Sequence, residues 1–255
     1  ILNISIASLR NGLFSIAEPY TRSKYEYVGD IGVTPSIFKL LKDYHLIQPN
    51  LSLHAKLAPP GPLILLWVSS YIFGRNPLNL AIFTIVFGST AVILIYLWAR
   101  ELSKEFRTIN PILFCILYAT TPGIVIFTAT ASEILYMPIL FLTLYLFEKS
   151  LNKNSFLHIC IAGFSFAVLT FFKFTLLSIA IYFLVRGILY LISQKGNLPP
   201  LAKLAFFMLV SFIGFYLVLH LFTGYKPLEV FFQAYSLFRR DMKEIETISP
   251  RYSLW

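Results

Sequence analysis

Charge is what this sequence lacks. Only 13% of its 255 residues are Asp, Glu, Lys or Arg, against about 25% in a soluble globular domain. That deficit excludes a surface covered by water on all sides. Cysteine is nearly absent too. Cys115 and Cys160 each sit in an apolar run, so they read as packing residues and carry no disulfide or metal spacing. No Walker loop, GxGxxG, CxxC, HExxH or serine-nucleophile motif occurs. No basic stretch is interleaved with aromatics, so the formal net charge of +9 does not point to nucleic acid. Short basic loops between apolar runs explain it, through positive-inside topology and anionic lipid. There is no repeat of fixed period and no low-complexity tract. The sequence opens on Ile1 without a signal peptide. It reads as a fragment that has lost a first span and several C-terminal spans.

What is present is apolar. Hydrophobic residues make up 57% of the chain, with 25 Phe and 15 Tyr, types suited to lipid-facing and interfacial positions. The expected fold is all-α, a polytopic transmembrane bundle. A bilayer core of ~30 Å needs about 20 apolar residues per crossing. Residues 78–99 meet this, and 111–129, 134–148, 156–172, 174–192 and 204–222 follow. That makes about six full spans. Residues 61–74 are short for a crossing and read as a half-span. Pro59-Pro60-Gly61-Pro62 forbids regular helix before them.

Loop charges orient the chain. Arg100, Lys104 and Arg107, then Lys149 and Lys153, then Lys195 and Lys203 alternate with the loops at 130–133, 173 and 223. The basic set is expected in the cytoplasm and the other set outside. Arg186 is expected to snorkel. The polar stretch 17–58 is expected outside. Within it Thr34-Pro35 reads as an N-cap followed by a first-turn proline, opening an amphipathic helix 35–47 on the membrane surface.

Ionisable groups at membrane depth are functional candidates. Glu26 and Asp30, in Tyr25-Glu26-Tyr27-Val28-Gly29-Asp30, share a face if helical. They fit a general base, metal ligands, a cation clamp, or simply a solvated turn. Glu133 starts the span at Ile134, and Thr130-Ala131-Ser132-Glu133 also fits a capping box. Lys173 fits a phosphate partner or a snorkelling interfacial lysine. His54 and Lys56 precede the Pro-Pro-Gly-Pro segment. Arg239, Arg240 and Lys243 cluster on an amphipathic C-terminal stretch that fits either a phosphate site or a plain surface helix.

The order of these features resembles the GT-C superfamily of membrane glycosyltransferases, in particular the protein O-mannosyltransferase and lipid A aminoarabinose transferase group. The matching residues are the acidic Tyr25-Glu26-Tyr27…Asp30 loop, His54…Pro59-Pro60-Gly61-Pro62, the basic loop Arg100–Arg107, Pro122, the second acid Glu133 in SEILYMPIL, and Lys173. Ala58 stands where the group has His or Lys, and Glu133 where Asp is usual.

The resemblance implies one membrane-embedded module over 1–255, with 17–58 as an extracytoplasmic catalytic-type loop. The implied enzyme is a hexosyl or pentosyl transferase. It moves sugar from a polyprenyl-phosphate donor to a hydroxyl of a glycan, lipid or protein acceptor, with inversion, at the outer face of a plasma (inner) membrane. Glu26 or Asp30 would be the base. Glu133 would orient donor or acceptor. His54, Lys56, Lys173, Arg239 and Arg240 would meet the lipid phosphate. No cofactor is implied, and a divalent metal is not indicated. The rival reading is a transporter or lipid-binding, flippase-like protein, which predicts charges along a central path and paired broken-helix repeats. A structural assembly subunit would leave the loop acids scattered.

Overall fold

In the computed structural model, the described residues are 2–9, 12, 14–21, 26–125, 131–153, 155–193 and 198–248. Among them there is helix and no strand, as the all-α reading requires. Two short helices open the chain, α1 (Leu2–Ala7) and α2 (Phe14–Thr21), followed by α3 (Ile37–Ile47) and the single turn α4 (Leu53–Lys56). Next come α5 (Gly61–Phe73), α6 (Pro77–Ser89), α7 (Ala91–Ser103) and α8 (Pro111–Thr120). The last five are α9 (Met137–Lys153), α10 (Phe156–Phe172), α11 (Ile179–Ser193), α12 (Leu198–Thr223) and α13 (Pro227–Ile248). Proline sits in the first turn of α5, α6 and α8, where its missing N–H costs nothing.

Four stretches are long and apolar enough to cross a membrane: Pro77–Ser103, Ser132–Lys153, Phe174–Ser193 and Pro199–Thr223. Gly61–Phe73, Pro111–Thr120 and Phe156–Phe172 are shorter apolar helices. By length, then, the described residues hold fewer full spans than the six expected. The rest of the expected span 111–129 runs past Val125 and outside the described residues.

Charge segregates to the two ends of the bundle. At one end Lys104 pairs with Glu101 at 2.5 Å, and Asn152 Nδ2 donates to Glu101 Oε2 at 3.1 Å. At the other end Lys173 meets Glu133, and Gly224 packs against the stem of Lys42. The grouping of the described loops agrees with the alternation read from the sequence.

The half-span also takes a definite path. A Cβ on Gly61 would lie 2.5 Å from the Phe171 carbonyl oxygen, so this glycine lets α5 start hard against the end of α10. Just past the other end of α5, the Arg75 guanidinium lies 3.4 Å from where a Gly32 Cβ would be. α5 therefore runs as one unbroken helix from the end of α10 toward the loop that carries Gly32. The crossing that follows is α6 with α7.

The amphipathic helix begins two residues later than read. Ser36 is its N-cap, accepting from the Lys39 N–H at 3.2 Å, while Thr34 Oγ1 donates to the Ser36 carbonyl at 2.9 Å. Pro35 thus precedes the cap rather than filling the first turn. Leu40, Leu41 and Tyr44 are buried, whereas Phe38 and Leu46 are exposed. Tyr44 is the pin of this layer. Its hydroxyl lies within hydrogen-bonding distance of two carbonyls, Ala55 O at 2.9 Å and Ala58 O at 3.1 Å, which hold the turn that leads into Pro59.

Arg186 does not snorkel. It is 5% exposed and turns inward. Nε and Nη2 each donate to Glu148 at 2.8 Å, and Nη2 also reaches Glu105 at 2.9 Å. Tyr182 donates to the same Glu148 carboxylate, and Trp98 Nε1 donates to Tyr182 at 3.2 Å. A charge at membrane depth is costly alone, and a bidentate carboxylate partner removes that cost more fully than a stretch to the interface.

Candidate active site

The loop after α2 and the start of the Ser132–Tyr136 turn meet over the end of the bundle. Glu26 is 8% exposed. Its Oε2 accepts from Ser132 Oγ at 2.8 Å across 106 residues of sequence. Ser132 itself is fully buried. This single bond fastens the loop acid beside the second acid, Glu133. The Glu133 carboxylate then holds two basic groups through one oxygen: Oε1 lies 3.2 Å from Lys173 Nζ and 3.5 Å from His54 Nδ1. Lys173 also sits over the Tyr136 ring at 5.3 Å. The Tyr27 ring lies 6.2 Å from the His54 ring.

The local elements explain these placements. Lys173 is the residue that ends α10, with an extended backbone (φ −156, ψ 119) before the Phe174–Ser178 turn, so its side chain leaves the helix stack. Glu133 lies in the first turn of a tight 3-10 segment preceded by the extended Ala131. The capping box proposed for Glu133 involves Thr130, which lies outside the described residues. His54 is on the one-turn helix α4, whose carbonyls Tyr44 holds.

Burial sets the protonation balance. It pushes the Glu26 carboxyl above its usual range, an effect that Ser132 and His54 partly offset. It does the same to Asp30, offset by Ser52. Hydrogen bonding to Glu133 holds His54 above its usual value against burial. Burial pushes the Tyr20 hydroxyl up to about 12, opposed by hydrogen bonding to Thr84 and Ser132 and reinforced by the Glu26 charge.

The two loop acids are thus in different positions. Asp30 is 8% exposed, and both its oxygens accept from the Ser52 backbone N–H, at 3.2 and 3.0 Å. It ties the loop to the residue that precedes α4. Glu26 instead lies among His54, Ser132 and Glu133. A cavity of about 340 Å³ opens at Glu133, with Thr121, Ile124 and Tyr136 in its wall.

The remaining sequence candidates sit elsewhere. Lys56 pairs with Asp241 on α13 at 2.8 Å. Arg239 is exposed, with its guanidinium over the Tyr235 ring at 5.9 Å. Arg240 is exposed beside it. The structure therefore brings Glu26, His54, Glu133 and Lys173 together, ties Asp30 to Ser52, pairs Lys56 of α4 with α13, and leaves the arginine pair exposed on α13. Among the described residues, no group of three or more His, Cys, Asp or Glu could hold a metal ion. Sequence reasoning missed Ser132 and Tyr20 as partners of the site. A serine and a tyrosine carry no signal of their own, although Ser132 directly precedes the acid that was singled out.

A polar loop folded over a helical bundle with four stretches long and apolar enough to cross a membrane, and with acids and bases gathered at one end, marks an integral membrane protein. Residues 58–222 match the family described as dolichyl-phosphate-mannose-protein mannosyltransferase, and the chain belongs to that family. No curated protein and no solved structure matches the chain. The family match covers Glu133 and Lys173. Glu26, Asp30, His54, Lys56, Arg239 and Arg240 lie outside it.

Proposed function

We propose that this protein transfers a sugar from a polyprenyl-phosphate donor to an acceptor hydroxyl, with inversion, and that Glu26 is the base. Family membership supports membrane glycosyl transfer of the mannosyltransferase kind. The observation that carries the finer reading is the convergence of Glu26, His54, Glu133 and Lys173, drawn from four distant segments.

In this reading the acceptor hydroxyl gives its proton to Glu26 as its oxygen attacks the anomeric carbon. The bond from that carbon to the lipid-phosphate oxygen breaks, and the electron pair leaves on the phosphate. Lys173 and protonated His54 lie on the Glu133 side, where they stabilise that charge. Glu133 keeps the two cations in place and presents its remaining oxygen to the cavity. A base works best with a pKa near the working pH, and burial moves Glu26 in that direction. Asp30 is better suited to holding the loop, because the Ser52 N–H occupies both its oxygens. Among the described residues the site charge lies at one end and no charged path joins the two ends, which favours transfer over transport.

The test is transfer of labelled sugar from polyprenyl phosphate by the reconstituted protein. Glu26→Gln is expected to lose a factor of about 10²–10⁴, the usual worth of a general base. Asp30→Asn is expected to lose less. Undiminished transfer by Glu26→Gln would overturn the assignment.

A further inference from the structure

Helix α13 presents three distinct faces. Val230, Ala234 and Leu237 are buried against the loop layer. Asp241 continues that face and pairs with Lys56, and Glu229 lies 3.3 Å from His45 of α3. A second face carries Gln233, which is half-buried, and Ser236 and Arg240, which are exposed. The third is the anomaly. Leu228, Phe231, Phe232, Tyr235 and Phe238 form one row at three- and four-residue spacing, and all are exposed, Leu228 at 70% and Phe232 at 62%. A row of five large apolar side chains is not stable facing water.

What covers the row follows from where it starts. Pro227 lies four residues past the end of the spanning helix α12. Leu228 and Phe231 of α13 line a cavity of about 490 Å³ together with Ile213 and Leu217 of α12. Ile213 and Leu217 are themselves exposed, on a span of which only 11% of the most apolar stretch is buried. The apolar row therefore continues the lipid-facing side of a spanning helix around a corner. Arg239 lies on the same side as the row, with its guanidinium against Tyr235.

We infer that α13 lies in the plane of the bilayer interface, with Leu228, Phe231, Phe232, Tyr235 and Phe238 seated among the acyl chains of the adjacent leaflet. Because its opposite face grips the loop through Lys56–Asp241 and His45–Glu229, the bilayer itself then fixes the height of the layer carrying α3 and α4. The inference rests on the membrane reading of the bundle and not on the transfer chemistry, so loss of either leaves the other standing.

The test uses the full chain in vesicles of phosphatidylcholine and phosphatidylglycerol, in a background with Cys115→Ser and Cys160→Ser. Nitroxides are placed singly at Phe232→Cys, Tyr235→Cys, Gln233→Cys and Ser236→Cys. Collision with oxygen is expected to exceed collision with a water-soluble nickel chelate at 232 and 235, with the reverse at 233 and 236. Chelate-dominated collision at all four sites would place α13 in water and overturn the inference. Low collision with both reagents at 232 and 235 would mean that a protein surface or a second copy covers the row, and would also overturn it. Should the labelled variants misfold, Phe232→Trp and Gln233→Trp give the same contrast by quenching with brominated lipid. Stronger quenching at 232 is expected, and equal quenching would refute the seating.

Discussion

Ser132 offers the sharpest test of the site. Its hydroxyl donates to the Glu26 carboxylate at 2.8 Å, out of contact with water. Burial already pushes Glu26 above its usual range, and Ser132 pulls it back. A hydrogen bond to a charged group contributes about 1.5–3 kcal/mol, and about 1.4 kcal/mol corresponds to one pKa unit. Ser132→Ala therefore raises Glu26 further. A base is active when ionised, so activity falls on the acid side as Glu26 takes up its proton. The acid limb of kcat/KM against pH moves upward in Ser132→Ala. The rate at high pH, where Glu26 is ionised in both proteins, stays close to the original. The assay is labelled-sugar transfer across pH 5–9 (about the range that stable membrane preparations tolerate), with Ser132→Thr as the conservative control that keeps the donor. A limb that does not move, with only the plateau falling, would refute Glu26 as the titrating base and leave Ser132 a purely structural bond.

Three further outcomes follow from other parts of the molecule. Arg186→Met leaves Glu148, 1% exposed, without its cation. The expected loss is about 3–5 kcal/mol, read as a lower Tm in detergent, and the double variant with Glu148→Gln should recover much of it. Gly163→Ala would put a Cβ 2.8 Å from the Met208 Cα, backbone that cannot yield without parting α10 from α12. About 1–3 kcal/mol of destabilisation is expected, whereas Gly214→Ala on the same α12 meets no atom within 4 Å and should cost little. His54 is held above its usual value by Glu133. Its contribution to stability is therefore full below about pH 6.5 and is lost as pH rises through the raised folded value. A Tm that declines through that window in the parent protein but not in His54→Gln is the expected pattern, and parallel curves would refute the ion pair.

How much of this was legible in the sequence depends on the range of the interaction involved. The all-α membrane bundle was readable because hydropathy is a local sum, and lipid as a solvent leaves helices as the only open choice. The alternation of basic loops was readable for the same reason. Span counts were less so, since α8 and α10 are apolar throughout yet short, and length is settled by packing and turns rather than by composition. The Arg186 reading failed because a lone arginine near a span end looks free to reach water. Its partner Glu148 lies 38 residues away on α9, and no local pattern announces that pairing.

The candidate site divides along the same line. Glu26, Asp30, His54, Glu133 and Lys173 could each be singled out, since ionisable groups are conspicuous in an apolar chain. Spacing could not say which loop acid faces the other charges. That was decided by two bonds spanning 106 and 22 residues, Ser132 to Glu26 and Ser52 to Asp30. Both donors are serines or backbone, groups whose pairing is invisible until the chain is folded. The partner of Lys56 is equally hidden in the sequence. Basic residues near a membrane boundary look alike there, and only the fold shows that Lys56 has Asp241 of α13 at 2.8 Å. Lys173 also has a carboxylate partner. It differs because Glu133 shares one oxygen between Lys173 and His54 beside an open cavity.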